Sequence, residues 1–199
     1  MNNVKFSSDI DIDFASRDDA LKLLKHVPAS INRDGKWSKH NTGVYFTDIP
    51  VNPDNGNASI DYEVAEDRGY VKLDFLNVHV YSLISSKEQL NQLLAQSPDW
   101  NSIYNADFCS KVIHINNHHA SLIKMPERID SITKLAMFLS VIRPSKRHLI
   151  GKSWDEVSKT IWEKPSDGTY YYKKSHAVAY AHLTVVHINL LNNLSNQSN

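Results

Sequence analysis

The chain has 199 residues, 41% of them hydrophobic and 10% aromatic, enough apolar material for an ordinary packed core. Its 6 Gly, 7 Pro and single Cys exclude collagen-like, low-complexity and disulfide-scaffold classes, and one cysteine cannot form an internal bridge, which points to a cytoplasmic setting. Lys+Arg and Asp+Glu balance at 22 each, but unevenly along the chain: residues 1–76 carry nine basic and thirteen acidic side chains, residues 143–174 eight and four, and residues 175–199 none. An acidic first part suits cations and a basic later part suits phosphates.

Residues 4–14 end in strict alternation of aspartate and apolar residues, the period of a strand with one face ionised. Ser16 then caps a helix expected over Arg17–His26, with Ala20, Leu21, Leu23 and Leu24 as its apolar face and Pro28 closing it. Asn32–His40 reads as a polar, turn-rich stretch in which Trp37 could anchor an interface. Val44–Phe46 reads as a short strand, and Pro50–Asn57 is the strongest loop signal in the chain. Ser59–Val64 and Tyr70–Leu76 read as strands separated by an acidic turn ending in Gly69.

Past Asn77 the pattern becomes helical. Helices are expected over Lys87–Gln96, Ala120–Lys124 and Arg128–Val141, the last ending before Pro144. Ser153 and Glu156 have the spacing of a capping box opening a helix through Trp162. Residues 164–169 form a Pro/Gly loop, Ser175–Leu191 is a last helix, and residues 192–199 should fray. The expectation is one α+β domain over 1–191, sheet-rich over 1–86 and helical over 87–191. No stretch is apolar enough for a membrane span or an export signal.

The chemistry concentrates in Asp9-Ile10-Asp11-Ile12-Asp13-Phe14. On a strand the three aspartates project from one face, successive ones about 6.5 to 7 Å apart. Such a row is tolerated where a cation or water relieves the repulsion, and hard divalent cations take oxygen ligands. A solvated edge strand whose charges block aggregation is the plainer alternative. A further carboxylate, Asp74, lies in Val71-Lys72-Leu73-Asp74-Phe75-Leu76; Lys72 shares its strand face, either to neutralise a phosphate oxygen or to form a salt bridge with an aspartate. His114, His118 and His119 lie close together near Cys109, but without zinc-site spacing they read as polar surface histidines. Nothing in the sequence pairs Cys109 with a base. Tyr170, Tyr171, Tyr172 and Trp162 either stack on bases or pack in the core.

These residues carry a resemblance. Asp9 to Phe14 followed by Arg17-Asp18 is similar to the catalytic strand and following helix of the alpha subunit of bacterial replicative DNA polymerase III. Four later segments recur in the family's order: Ser38-Lys39-His40 with Gly43-Val44, Val71 to Leu76, Arg128 to Pro144 ending Val141-Ile142-Arg143-Pro144, and Tyr172 to Ala181 containing Lys173-Lys174-Ser175-His176-Ala177. The matches span roughly Ser7 to Leu191. The resemblance implies a polymerase-beta-like nucleotidyltransferase palm joined to shortened fingers. It implies that Asp11, Asp13 and Asp74 hold two Mg²⁺ ions, with Asp9 a neighbour outside the triad. Lys72, Arg143, Lys174 and His176 would face the phosphates of an incoming dNTP on a DNA primer-template. The family's Gly/Ser triphosphate loop and thumb have no counterpart in this sequence, so a second protein chain is expected to supply them. The other expectation is a catalytically inactive regulator that binds DNA or replication proteins.

Overall fold

In the computed structural model, residues 10–164 and 171–197 are described. The architecture is α+β, with about 47% helix and a four-stranded mixed sheet. The chain forms two compact units, residues 1–84 and 85–199. Among the described residues no helix is long and apolar enough to cross a membrane.

The first unit contains the sheet. Strand β1 spans Ile10–Phe14 and is followed by helix α1, Arg17–Lys22, whose N-cap Ser16 Oγ accepts from Asp19 N. Helix α1 ends four residues sooner than the leucine pattern suggests. Leu23 is 86% exposed, so the apolar run does not continue onto a buried face. The chain instead enters β2, Val27–Arg33, with Pro28 inside it. The sheet order, with β3 spanning Lys36–Tyr45 and β4 spanning Leu73–Asn77, is β1-β4-β3-β2, so β2 is an edge strand, where a missing N–H is tolerated.

The stretch expected to be turn-rich, Asn32–His40, is a hairpin. Asp34 and Gly35 both take positive φ, 53° and 80°, and Arg33 pairs with Lys36. Asp-Gly is the two-residue turn that suits the twist of the flanking strands. The segment 59–64 is not the expected strand either. Asp61 accepts from Glu63 N at 2.9 Å and caps helix α2, Tyr62–Asp67, while its other oxygen accepts from Asn32 N at 2.7 Å and ties the helix start to β2. Gly69, at φ 86°, follows α2.

The second unit is helical: α3 (Lys87–Ala95), α4 (Ala106–Lys111), α5 (His119–Leu122), α6 (Ile132–Val141), α7 (Trp154–Thr160) and α8 (Lys174–Gln197). Every residue of α6 from Leu135 to Val141 is buried, and the core joins it to Val157, Ile161, Ala181, Val185 and Ile188. Helix α6 begins at the Ser131 cap rather than at Arg128. The capping box of Ser153 and Glu156 forms on α7. Asn189, fully buried on α8, donates to Leu93 O and Gln96 O and satisfies carbonyls at the end of α3. Helix α8 continues to Gln197, through most of the segment expected to fray. The Pro/Gly loop expected over 164–169 falls, apart from Lys164, outside the described residues, as do Asp9 and Tyr170.

Candidate active site

Strands β1 and β4 run parallel, with Ile10 opposite Leu73, Asp11 opposite Asp74, Ile12 opposite Phe75 and Asp13 opposite Leu76. In-register partners on parallel strands point to the same side of the sheet, so Asp11, Asp13 and Asp74 share one face. The opposite face is apolar: Phe75, Val44 and Leu21 are buried together with Ile12, Phe14 and Leu73 packed against them, and the Phe14 and Phe75 rings lie 4.6 Å apart. Burial of that face fixes the register, since a one-residue slip would turn the apolar set to the carboxylate side.

Asp74 is 9% exposed and its carboxylate is fully engaged. The Lys72 ammonium forms an ion pair with Oδ2, and the Thr42 hydroxyl donates to Oδ1 at 2.6 Å. Lys72 precedes β4 rather than lying in it, so of the two roles open to it in the sequence, the structure shows the salt bridge. Thr42 reaches Asp74 through an irregularity in β3. The pairing of β3 with β2 shifts between Pro28 opposite Val44 and Ser30 opposite Lys39, leaving a bulge over 40–43. His40 Nδ1 accepts from Gly43 N at 2.8 Å and from Thr42 N at 3.2 Å, which holds the bulge in shape. A β-bulge re-aims side chains, and here it turns Thr42 onto the carboxylate.

The same two N–H bonds identify His40 as a neutral imidazole with a lone pair on Nδ1. Burial and the Lys72 charge both lower its pKa. Its 3.7 Å separation from Asp74 Oδ1 is therefore not an ion pair. Gly43 lies under the lysine chain: a Cβ there would stand 2.7 Å from Lys72 Cδ and 3.0 Å from His40 Nδ1. Glycine at this position leaves the path along which Lys72 reaches Asp74.

Asp13 differs from Asp74. Its Oδ1 is sealed from solvent and has no hydrogen-bond partner among the described residues. Burial, and secondarily the neighbouring Asp11 charge, raises its pKa. Asp13 is thus an incompletely compensated acid, beside a residue whose charge is already balanced by lysine. Among the described residues no three His, Cys, Asp or Glu side chains are arranged as a metal-holding group.

Lys72 belongs to the first unit; Arg143, Lys174 and His176 belong to the second. There the Arg143 guanidinium covers the Tyr172 ring at 4.5 Å, and Tyr172 stacks with Tyr180 at 6.3 Å. His176 meets Tyr180 edge-on at 6.4 Å, and Lys174 Nζ lies 5.8 Å from the Trp162 ring. Buried Tyr172 is core packing with a cation on its face.

His114 and His118 are not the surface histidines expected. The His114 ring lies 4.6 Å from Tyr180, and burial, with the charges of Arg143 and His187, lowers its pKa to about 4. His118 is also lowered, by burial and then by Arg147 and Arg143. His119 Nε2 lies 3.0 Å from Tyr104 O. Among the described residues the three histidines form no metal-holding group. Cys109 is fully buried, its thiol pushed up to about 11 by burial, which makes it inert as a nucleophile. Sequence reasoning quoted His40 only within the Ser38-Lys39-His40 segment, without a role, and missed Thr42; the roles of both depend on the bulge.

Compared with protein-family models, with curated proteins and with solved structures, the chain matches none of them.

Proposed function

We propose that this chain is a DNA polymerase III alpha-like nucleotidyltransferase fragment with a polymerase-beta-like palm, acting in the cytoplasm on a DNA primer-template and dNTP with a second protein chain. The observation that carries this reading is the in-register pairing of Asp11 with Asp74 on parallel strands, with Asp13 on the same face. The sealed Oδ1 of Asp13, without a hydrogen-bond partner among the described residues, and its raised pKa supply the fit test for a cation. A hard, oxygen-liganded divalent ion is the group such a carboxylate lacks, and Mg²⁺ is the natural occupant. The fit requires that Lys72 release Asp74.

Two Mg²⁺ ions held by Asp11, Asp13 and Asp74 would supply Lewis-acid stabilisation to an attacking 3′-hydroxyl and a leaving diphosphate. The chain's own residues do the rest. Thr42 keeps the Asp74 carboxylate oriented through its 2.6 Å bond. Lys72, once freed, turns its ammonium to a phosphate oxygen. The partner chain supplies the triphosphate loop and thumb.

One observation favours a second reading, a catalytically inactive regulator that binds DNA or a replisome component. Both oxygens of Asp74 are already satisfied, by Lys72 and Thr42, so that half of the site is complete without a metal. Nucleotide incorporation on a primed template, with Mg²⁺ or Mn²⁺ and with or without the partner, separates the two. Incorporation lost in Asp11→Asn and Asp74→Asn supports the enzyme. Metal-independent DNA binding that survives both changes, with no incorporation, supports the regulator.

A further inference from the structure

The first unit contains a cavity of about 470 Å³ lined by Ser30, Trp37, Lys39, Asn52, Asn55 and Asn57, among others. Its size is that of a site for a nucleoside-sized ligand. It lies between the β2–β3 hairpin and the 52–59 loop.

The loop wall is preorganised. Asn52 N donates to Asn57 O at 2.8 Å and Gly56 N to Asn52 O at 2.9 Å, closing the loop on itself. The side chains add to this: Asn52 Oδ1 accepts from Asp54 N and Asn55 Oδ1 accepts from Asn57 N. An amide nitrogen cannot accept those bonds, so the oxygen of each side chain is committed to the backbone and its NH₂ is left as the donor. The Ser30 hydroxyl is spent on Ala58 O at 2.6 Å. The Asn52 and Asn55 NH₂ groups and the Lys39 ammonium are donors, and the Ser38, Asn57 and Ser59 side chains beside them can donate or accept.

Trp37 supplies the flat apolar surface. It is 51% exposed on β3, paired with Asn32, although a tryptophan is ordinarily well covered. Among the described residues no carboxylate lines the cavity. A planar ring with carbonyl and ring-nitrogen acceptors, attached to an anion, matches all three elements.

We propose that this cavity binds a nucleoside phosphate, with its base stacked on the Trp37 indole, its base edge on the Asn52 and Asn55 amides, and its phosphate on Lys39. Stacking on an aromatic side chain tolerates any base, so the site discriminates weakly by sequence. The ligand is either a free nucleotide or one residue of a single strand. This site is separate from the carboxylates of β1 and β4 and needs no metal.

The test titrates the full chain, in EDTA and at low salt, with a nucleoside 5′-monophosphate and with a short single-stranded oligonucleotide. Tryptophan fluorescence reports the first and anisotropy of the labelled oligonucleotide the second. Expected are quenching that disappears in Trp37→Leu, binding weakened about tenfold in Lys39→Gln, and weakening with added salt. Saturation by the mononucleotide assigns the site to free nucleotide, and binding of the oligonucleotide alone assigns it to a strand. No binding of either probe overturns the proposal. So does binding that both variants retain, or displacement of the probe by a neutral oligosaccharide. Lys39 is exposed, so Lys39→Gln keeps the test valid should Trp37→Leu misfold.

Discussion

Asp11 and Asp74 are direct partners across two parallel strands, yet Asp74 is balanced by Lys72 and Thr42 while the next acid on β1, Asp13, has a sealed oxygen with no hydrogen-bond partner among the described residues. On that one face, then, Asp74 is compensated and Asp13 incompletely so.

That difference sets the response to pH and metal. The folded pKa of Asp13 is raised, so between its ordinary value and the raised one the folded chain binds more protons than the unfolded chain, and stability falls as pH rises through that window. In EDTA at pH 7, Asp13→Asn should melt at a higher temperature than the parent, and the difference should vanish near pH 3. Added Mg²⁺ or Mn²⁺ should raise the melting temperature of the parent and leave Asp13→Asn unmoved. Thermal melts across pH and metal concentration check both; a parent indifferent to either ion would count against cation binding.

The Lys72–Asp74 pair is largely withdrawn from solvent, with side-chain exposures of 16% and 13%. Removing one member strands the other in the sheet. Lys72→Met should cost about 3 kcal/mol at neutral pH, and Asp74→Asn added to it should recover part of that loss. Denaturant unfolding of the two single variants and the double variant gives the coupling energy; additive losses would show that the pair is energetically unimportant.

Gly43→Ala places a methyl group on the path of the lysine chain. The expected loss is about 1–3 kcal/mol, from displacing Lys72 and crowding His40. In a Lys72→Ala background the same change should cost clearly less, because the nearest clash is gone. Equal losses in the two backgrounds would mean that His40 and Ala29, not Lys72, make glycine necessary.

In the helical unit, His114 has a folded pKa near 4 against an ordinary value of 6.5. As pH falls through that interval the unfolded chain gains a proton that the folded chain refuses, so stability falls with pH, by on the order of 3 kcal/mol across the window. His114→Asn should flatten the slope between pH 6.5 and 4. Asparagine is the suitable replacement because His114 has a positive φ of 67°. Urea midpoints at several pH values measure the slope, and an unchanged slope would assign the acid sensitivity elsewhere.

The sequence by itself determined features that depend on neighbours in the chain. Alternation in Asp9 to Phe14 announced β1, the Ser153 and Glu156 spacing announced the cap of α7, and the apolar run ending at Pro144 announced α6. It also put Lys72 and Asp74 close enough to pair, though it left the lysine two roles. Asn32–His40 was legible as turn-rich, but the polarity of the residues flanking Asp34-Gly35 concealed a hairpin whose outer strand is at the sheet edge.

Only the tertiary structure decided which strands meet. The register of β1 on β4 is set by burial of Phe75, Val44 and Leu21 on the opposite face, a condition spread over three distant segments. The bulge at His40 to Gly43 arises from a pairing shift against β2, and it gives Asp74 its hydroxyl partner. His114 is half-buried and its pKa lowered because α8 brings Tyr180 and His187 beside it. Local propensity acts over a few residues, whereas charge compensation depends on what folding brings within a few ångströms. Part of the element order was therefore readable in advance, whereas β2, most of β3, α2, α4 and the state of each ionisable group were not.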